Sequence, residues 1–141
     1  MSVTTTPHLN FRGNARSALE FYHSVFGGQL ILLTNDDAHS TERPEEADQI
    51  KFGQVSSDNG FQIMAFDVPA SQSYDQGDKS MFVSVRGESA DEITALWSAL
   101  AEDSTIIEDL APSFFSPAYG MLRDKFGVVW VLDVAVAYSP A

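Results

Sequence analysis

Histidines 8, 23 and 39 are the only imidazoles in a chain of 141 residues that contains no cysteine. Without thiolate, disulfides, Fe–S clusters, thiolate zinc sites and cysteine nucleophiles are excluded together, so any metal would be held by His, Asp or Glu. His23 stands beside Tyr22 in a helical stretch, towards solvent, and His39 sits in an acidic loop. His8 alone opens a strand-like segment, "HLNF", where Thr6, His8 and Asn10 share one face because strand side chains alternate. Three roles are open to it there: metal ligand, general base or polariser of a ligand oxygen together with Asn10, and ordinary hydrogen-bonded strand residue.

The elements that must carry these residues can be read from periodicity. After the strand at 8–12, Asn14 can cap a helix whose apolar residues Ala18, Leu19, Tyr22, Val25 and Phe26 fall on one face, and Gly27 and Gly28 end it. "QLILLT" (29–34) reads as a buried strand, residues 35–49 as a polar loop, and "IKFGQV" and "GFQIMAFDV" as a hairpin around "SSDN". After a second polar stretch (69–80) the order starts again. "SMFVSVRG" is a strand, Ser89 and Glu92 form a capping box, and Ile93, Leu96, Trp97, Leu100 and Ala101 make a helical stripe. "TIIEDL", "YGMLRD" and "GVVWVLDVAV" supply three more strands. Gly60 and Gly127 each lead a strand that closes on Asp-Val, so the economical reading is a duplicated βαβββ unit. The expected boundaries are about 6–68 for the first module, 69–79 for a linker and 80–136 for the second, within one domain.

Three stretches, "PHLNFRGNARSALEFYHSVFGG", "SSDNGFQIMAFDVP" and "DKFGVVW", together resemble the PhnB-like branch of the vicinal oxygen chelate superfamily, which includes glyoxalase I, bleomycin-resistance proteins and extradiol dioxygenases. The resemblance covers nearly the whole chain. It implies an α+β fold in which two βαβββ modules form a curved open mixed sheet, a ligand cup inside it, and a homodimer. In metal-dependent members it implies a His near the start of each module's first strand and a Glu on a module's last strand, holding an ion that acts as a Lewis acid.

Of that ligand set only His8 is present. The head of the second module falls near Ser80, a hydroxyl, and the place of the Glu falls near Val131, with Asp133 two residues on. Asp67, which matches Asp133 in the first half, suggests a strand-end role for both. A His often found on the family's third strand is replaced by Phe52. The leading expectation is therefore a metal-free and cofactor-free small-molecule binder whose pocket is lined by His8, Asn10, Phe52, Gln54 and Val131. The competing expectation is a divalent-metal lyase or dioxygenase-like enzyme using His8 with carboxylates such as Asp133 or Glu108.

Phe52, Phe66, Phe114, Phe115, Tyr119 and Trp130 would suit a flat or apolar ligand if they wall the cup, and parity turns Trp130 away from Val131, towards the helices. The loops at 35–49 and 69–79 and the segment "EDLAPSFFSPAYGMLRDKFG" are lid candidates. "RGN" at 12–14 lacks the run of backbone amides that cradles a phosphate. No S-adenosylmethionine glycine loop follows a strand.

Twenty acidic against eight basic residues give a formal charge of −12, which repels phosphate backbones and anionic lipid and favours a cationic ligand if it lines a pocket. Neither nucleic acid nor membrane is an expected partner. No apolar run approaches the roughly 18 residues of a membrane span, and "MSVTTTPHLNF" has no signal-like character, so the cytoplasm is the default location.

Overall fold

The computed structural model describes residues 3–77 and 81–136. Strand β1 is His8–Phe11, α1 Ala15–Phe26, β2 Gln29–Thr34, β3 Ile50–Ser56 and β4 Gln62–Asp67; β5 is Val83–Gly87, α2 Ala90–Leu100, β6 Thr105–Ser113, β7 Ser116–Arg123 and β8 Val129–Val134. The chain divides after Gly77 into two compact units. Strand order is β1-β4-β3-β2 in the first and β5-β8-β7-β6 in the second. In each, the first strand runs parallel to the fourth and the remaining neighbours are antiparallel. Both units thus carry the same βαβββ path and the same mixed, open sheet. No helix among the described residues is long and apolar enough to cross a membrane.

Each helix covers one face of its own sheet. From α1, Ala15, Ala18, Leu19, Tyr22 and Phe26 are buried, against Leu9, Phe11, Ile50, Val55, Ile63 and Ala65 from the strands. Gly53 sets the distance: a Cβ there would lie 2.2 Å from Leu19 Cδ1. In the second unit Gly120 does the same under the Trp97 ring, where a Cβ would meet Cζ3 at 2.8 Å. Gly53 pairs with Ala65 and Gly120 with Leu132, so the two glycines hold equivalent places in the third strand of each unit. Ile93, Leu100, Leu122, Trp130 and Leu132 complete the second core. Trp130 is fully buried, as parity requires, with its indole N–H donated to Asp124 Oδ2 at 2.9 Å.

The first helix is not capped as its local sequence suggests. Asn14 occupies the N-cap position, but its side chain makes no capping bond. Asp67, at the end of β4, instead holds the amides either side of Asn14: Oδ1 accepts from the amides of Gly13 (2.7 Å) and Ala15 (3.1 Å), and Oδ2 from that of Ile50 (2.8 Å). A carboxylate is a stronger acceptor than an amide oxygen and suits the positive end of the helix dipole. The second helix follows its sequence. Ser89 Oγ accepts from the Glu92 amide at 3.2 Å, and Glu92 Oε1 accepts from the Glu88 amide at 3.1 Å.

One other expectation is corrected, and two of the lid candidates take definite form. Strand β2 is not buried: Ile31 and Leu33 are each 43% exposed, because the helix covers only one side of the sheet. Most of the segment "EDLAPSFFSPAYGMLRDKFG" is not irregular chain but the β6–β7 hairpin, turning at Phe114 and Phe115, with Ser113 paired to Ser116. The loop at 35–49 is internally tied, with Asn35 Nδ2 donating to the Glu46 carbonyl (2.8 Å), and it is fastened to the stretch after β4, where Glu46 Oε2 accepts from the Ala70 amide (2.8 Å).

Removing the Asp67 carboxylate leaves three buried or half-buried amides without their acceptor. Asp67→Ala is expected to lower stability by about 3 kcal/mol, read as a lower urea midpoint, with hydrogen exchange accelerated first at Gly13, Ala15 and Ile50. An unchanged midpoint would show that Asn14 or water can replace it.

Candidate functional site

The face of the first sheet that turns away from α1 carries the residues singled out around His8. Across it, His8 lies opposite Met64, Met64 opposite Gln54 and Gln54 opposite Ile31; Asn10 lies opposite Phe66, and Phe52 opposite Leu33. Paired residues share a face, so His8, Asn10, Phe52 and Gln54 stand on one surface together with Met64 and Phe66. The fold brings these four together. Val131 stands on the corresponding face of the second unit.

This surface is apolar with neutral polar groups set into it. His8 Nδ1 and Asn10 Oδ1 are 3.2 Å apart, and the imidazole meets the Phe66 ring edge-on at a centroid distance of 5.1 Å. Thr6 Oγ1 donates to Gln62 Oε1 at 3.1 Å. Gln54 has no hydrogen bond in its side chain among the described residues. None of the side chains paired across this face is Asp or Glu.

One neighbour of the face was not foreseen. Arg12, in the "RGN" turn, holds the chain after β4: Nε donates to the Val68 carbonyl at 3.2 Å, and Nη2 donates to those of Pro69 (3.1 Å) and Gln72. Its guanidinium lies 5.3 Å from the centre of the Tyr74 ring, and the Tyr74 hydroxyl donates to the Asn10 carbonyl at 2.8 Å. Partial burial raises the Tyr74 pKa above the ordinary 10.0, which keeps that hydroxyl a donor. Residues 69–74 are therefore strapped along the edge strand β1 beside His8. The signal in the sequence was a lone Arg next to a Gly, which nothing local distinguishes from a surface residue.

In the second unit the open face reads Ser84, Val131, Met121 and Glu108 in one row, and Arg86, Asp133 and Tyr119 in the next. Ser84 opposite Val131 repeats His8 opposite Met64. The counterpart of His8 is thus Ser84; Ser80, where it was expected, lies outside the described residues. The same register separates Asp67 from Asp133. Asp67 points to the helix side and is buried, whereas Asp133 is on the open face, where its Oδ1 accepts from Arg86 Nε at 3.0 Å. They are not equivalent, and the strand-end role inferred for Asp133 from Asp67 does not hold.

The donor set does not fit a resident divalent ion. On the first face there is one imidazole, already engaged with Asn10 and Phe66, and no carboxylate; Asp133 is held by Arg86. Among the described residues no three His, Asp or Glu side chains are grouped to hold a metal. His23 Nε2 lies 3.0 Å from the Gly28 carbonyl, at the end of α1, and His39 is exposed in its loop with φ of 54°.

Residues 3–132 match the family described as 3-demethylubiquinone-9 3-methyltransferase. The crystal structure of protein PA1353 from Pseudomonas aeruginosa is 31% identical, covers 94% of this chain and 98% of its own, and superposes with a TM-score of 0.82. A PhnB protein from Bacillus cereus is 28% identical over 94% of this chain and 100% of its own, with a TM-score of 0.72. A glyoxalase/bleomycin resistance protein/dioxygenase family enzyme from Burkholderia phytofirmans, 18% identical over 92% and 95%, shares the fold at a TM-score of 0.60.

The family description implies S-adenosylmethionine, and neither strand-to-helix turn, "FRGNA" nor "RGESA", carries the glycine-rich loop on which a nucleotide-like cofactor is commonly held. Anionic parts of nucleotide-like cofactors sit on free amides at a strand-to-helix turn. In this chain the Gly13 and Ala15 amides are taken by Asp67, and those of Glu88 and Glu92 by Glu92 Oε1 and Ser89 Oγ. With two βαβββ units, the fold of the glyoxalase/bleomycin resistance/dioxygenase structures, and the match over residues 3–132, the chain belongs to the family described as 3-demethylubiquinone-9 3-methyltransferase, and is similar to the PhnB protein from Bacillus cereus.

Proposed function

We propose that this chain binds a small molecule on the open face of its first sheet, through His8, Asn10, Phe52 and Gln54, without a resident metal. Val131 marks the corresponding surface of the second unit. One observation carries the reading: a carboxylate-free surface on which Ile31 and Leu33 remain 43% exposed beside two phenylalanines, with His8, Asn10 and Gln54 among its hydrogen-bonding groups. Apolar area of this kind, fixed on strands and dotted with a few polar groups, suits a flat ligand. The net charge of −12 draws cationic molecules towards the chain from a distance, while contact on this face is with neutral groups. Residence in the cytoplasm belongs to the same proposal.

The proposal includes a homodimer. Ile106 and Ile107 are 41% and 48% exposed and Phe115 57%, while Phe114 is fully exposed, all on the β6–β7 hairpin. A second copy covering this ribbon would remove these exposed apolar side chains from water. Sedimentation equilibrium should give a dimer for the wild type and a shift towards monomer, with at least about a tenfold weaker association, for Phe114→Ser combined with Phe115→Ser. A wild-type monomer at high micromolar concentration would remove the dimer from the proposal.

Ligand and metal are tested together. Thermal melts of tag-free protein with Ni²⁺, Zn²⁺, Mn²⁺ or chelator should coincide, whereas a planar aromatic fragment that binds should raise stability by about 2.7 kcal/mol at one hundred times its dissociation constant. That gain should fall in His8→Ala and in Gln54→Ala. Stoichiometric metal, with a melting shift lost in His8→Ala, would replace binding by a metal-dependent lyase or dioxygenase-like activity.

A further inference from the structure

The open face of the second sheet carries a feature that the first lacks. Arg86 on β5, Asp133 on β8 and Tyr119 on β7 stand side by side across three strands, since Arg86 is paired with Asp133 and Asp133 with Tyr119. The corresponding row of the first sheet begins Asn10–Phe66 and has no charge. The ion pair is asymmetric. Asp133 is held down on the sheet, its side chain 13% exposed, while Arg86 is 54% exposed.

The contact is made by Nε alone, at 3.0 Å from Oδ1. A guanidinium has five N–H donors, and this one commits a single donor to its own carboxylate. Its Nη groups make no hydrogen bond among the described residues, and neither does the Tyr119 hydroxyl. Tyr119 is itself braced, its ring edge-on to Phe115 at a centroid distance of 4.8 Å.

We propose that Arg86, aimed by Asp133, forms with Tyr119 a carboxylate-binding site on the open face of the second sheet, for a planar molecule whose body lies over Val131 and Met121. A carboxylate meets the two Nη groups as a fork and accepts from the Tyr119 hydroxyl, which are the charge-assisted bonds that bind most strongly. Asp133 neutralises Arg86 without occupying its outer edge, so one guanidinium serves two carboxylates, one from the protein and one from the ligand. The proposal deepens the reading of the open faces as ligand surfaces and rests on it.

The probe is benzoate, with benzamide as its neutral counterpart, titrated into the full chain labelled with ¹⁵N. Benzoate should move the Arg86 Nε–H signal and the Ser84, Tyr119 and Val131 amides saturably, with a dissociation constant on the order of millimolar, and benzamide should bind at least about tenfold more weakly. Arg86→Lys, a change at an exposed side chain, should lose about tenfold in affinity because a lysine has no fork. Asp133→Asn should lose less, with wider motion of Arg86 in side-chain ¹⁵N relaxation, which separates aiming from binding. Equal affinity for benzoate and benzamide, or an unaltered titration in Arg86→Lys, overturns the site. Fragment shifts confined to His8, Asn10 and Gln54 overturn it while leaving the first-sheet reading intact; no shift on either sheet counts against both.

Discussion

The closeness of each helix to its sheet is the constraint from which the rest follows. Gly53 under Leu19 and Gly120 under Trp97 let the helix settle on the backbone of the third strand, where any side chain would hold it off. One helix of eleven or twelve residues covers one face of four strands and no more. The second face has no cover from its own unit, and its side chains must tolerate water or meet something else. Ile31, Leu33, Phe52 and Phe66 sit on that face at a cost of about 25 cal/mol for each Å² left wet. A sequence under selection for stability alone would have placed polar residues there. The apolar character of the open face is therefore the part of the fold that calls for a functional explanation.

A single step of register separates structure from function in the two halves. Asp67 falls on the helix side of β4 and satisfies three amides, fixing the start of α1 and the start of β3 with one carboxylate. Asp133 falls on the opposite side of β8 and takes hold of an arginine. Both are followed by valine at the end of the last strand, and their surroundings in the sequence are nearly the same. The difference lies in the pleat: alternate residues face opposite ways, so a shift of one position turns a core acceptor into a surface one. The two units share the path of the chain, the glycine under the helix and the strand order. They do not share the chemistry of the open faces, where His8 and Asn10 correspond to Ser84 and Arg86.

What could be read from the sequence was what depends on local period. The two helices, the repeat of the strand order, the shared face of His8 and Asn10, the inward turn of Trp130 and the Ser89–Glu92 cap are all set by residues within a turn or a strand of each other. What could not be read depends on partners far along the chain. Asp67 caps a helix 52 residues before it, and Arg12 fastens carbonyls up to 60 residues after it. Asn14 has the composition of a cap and no capping bond; the start of the helix is instead held by a charged acceptor from another strand, on the amides either side of Asn14. The β6–β7 hairpin was hidden for another reason: Pro112 and Pro117 read as loop signals, yet both lie in strands, and proline is tolerated on a strand only where its missing donor is not needed.

The distribution of charge bears on what the open faces select. Six of the twenty acidic residues lie in the loop at 35–49, and others cap or flank α2, so the net charge of −12 is carried largely away from the paired residues of the first sheet. Such charge acts through water and is screened over about 8 Å at physiological salt. Contacts on the sheet act at hydrogen-bond distance, where that screening is weaker, and there the first face offers an imidazole, several side-chain amides and aromatic rings, while the second offers a guanidinium whose own carboxylate leaves its outer edge free. A charge-assisted hydrogen bond is worth about 1.5–3 kcal/mol, more than the repulsion that remains from distant, screened carboxylates. The long-range field thus governs how often a molecule of either sign approaches, and the row of Arg86, Asp133 and Tyr119 governs which of them stays.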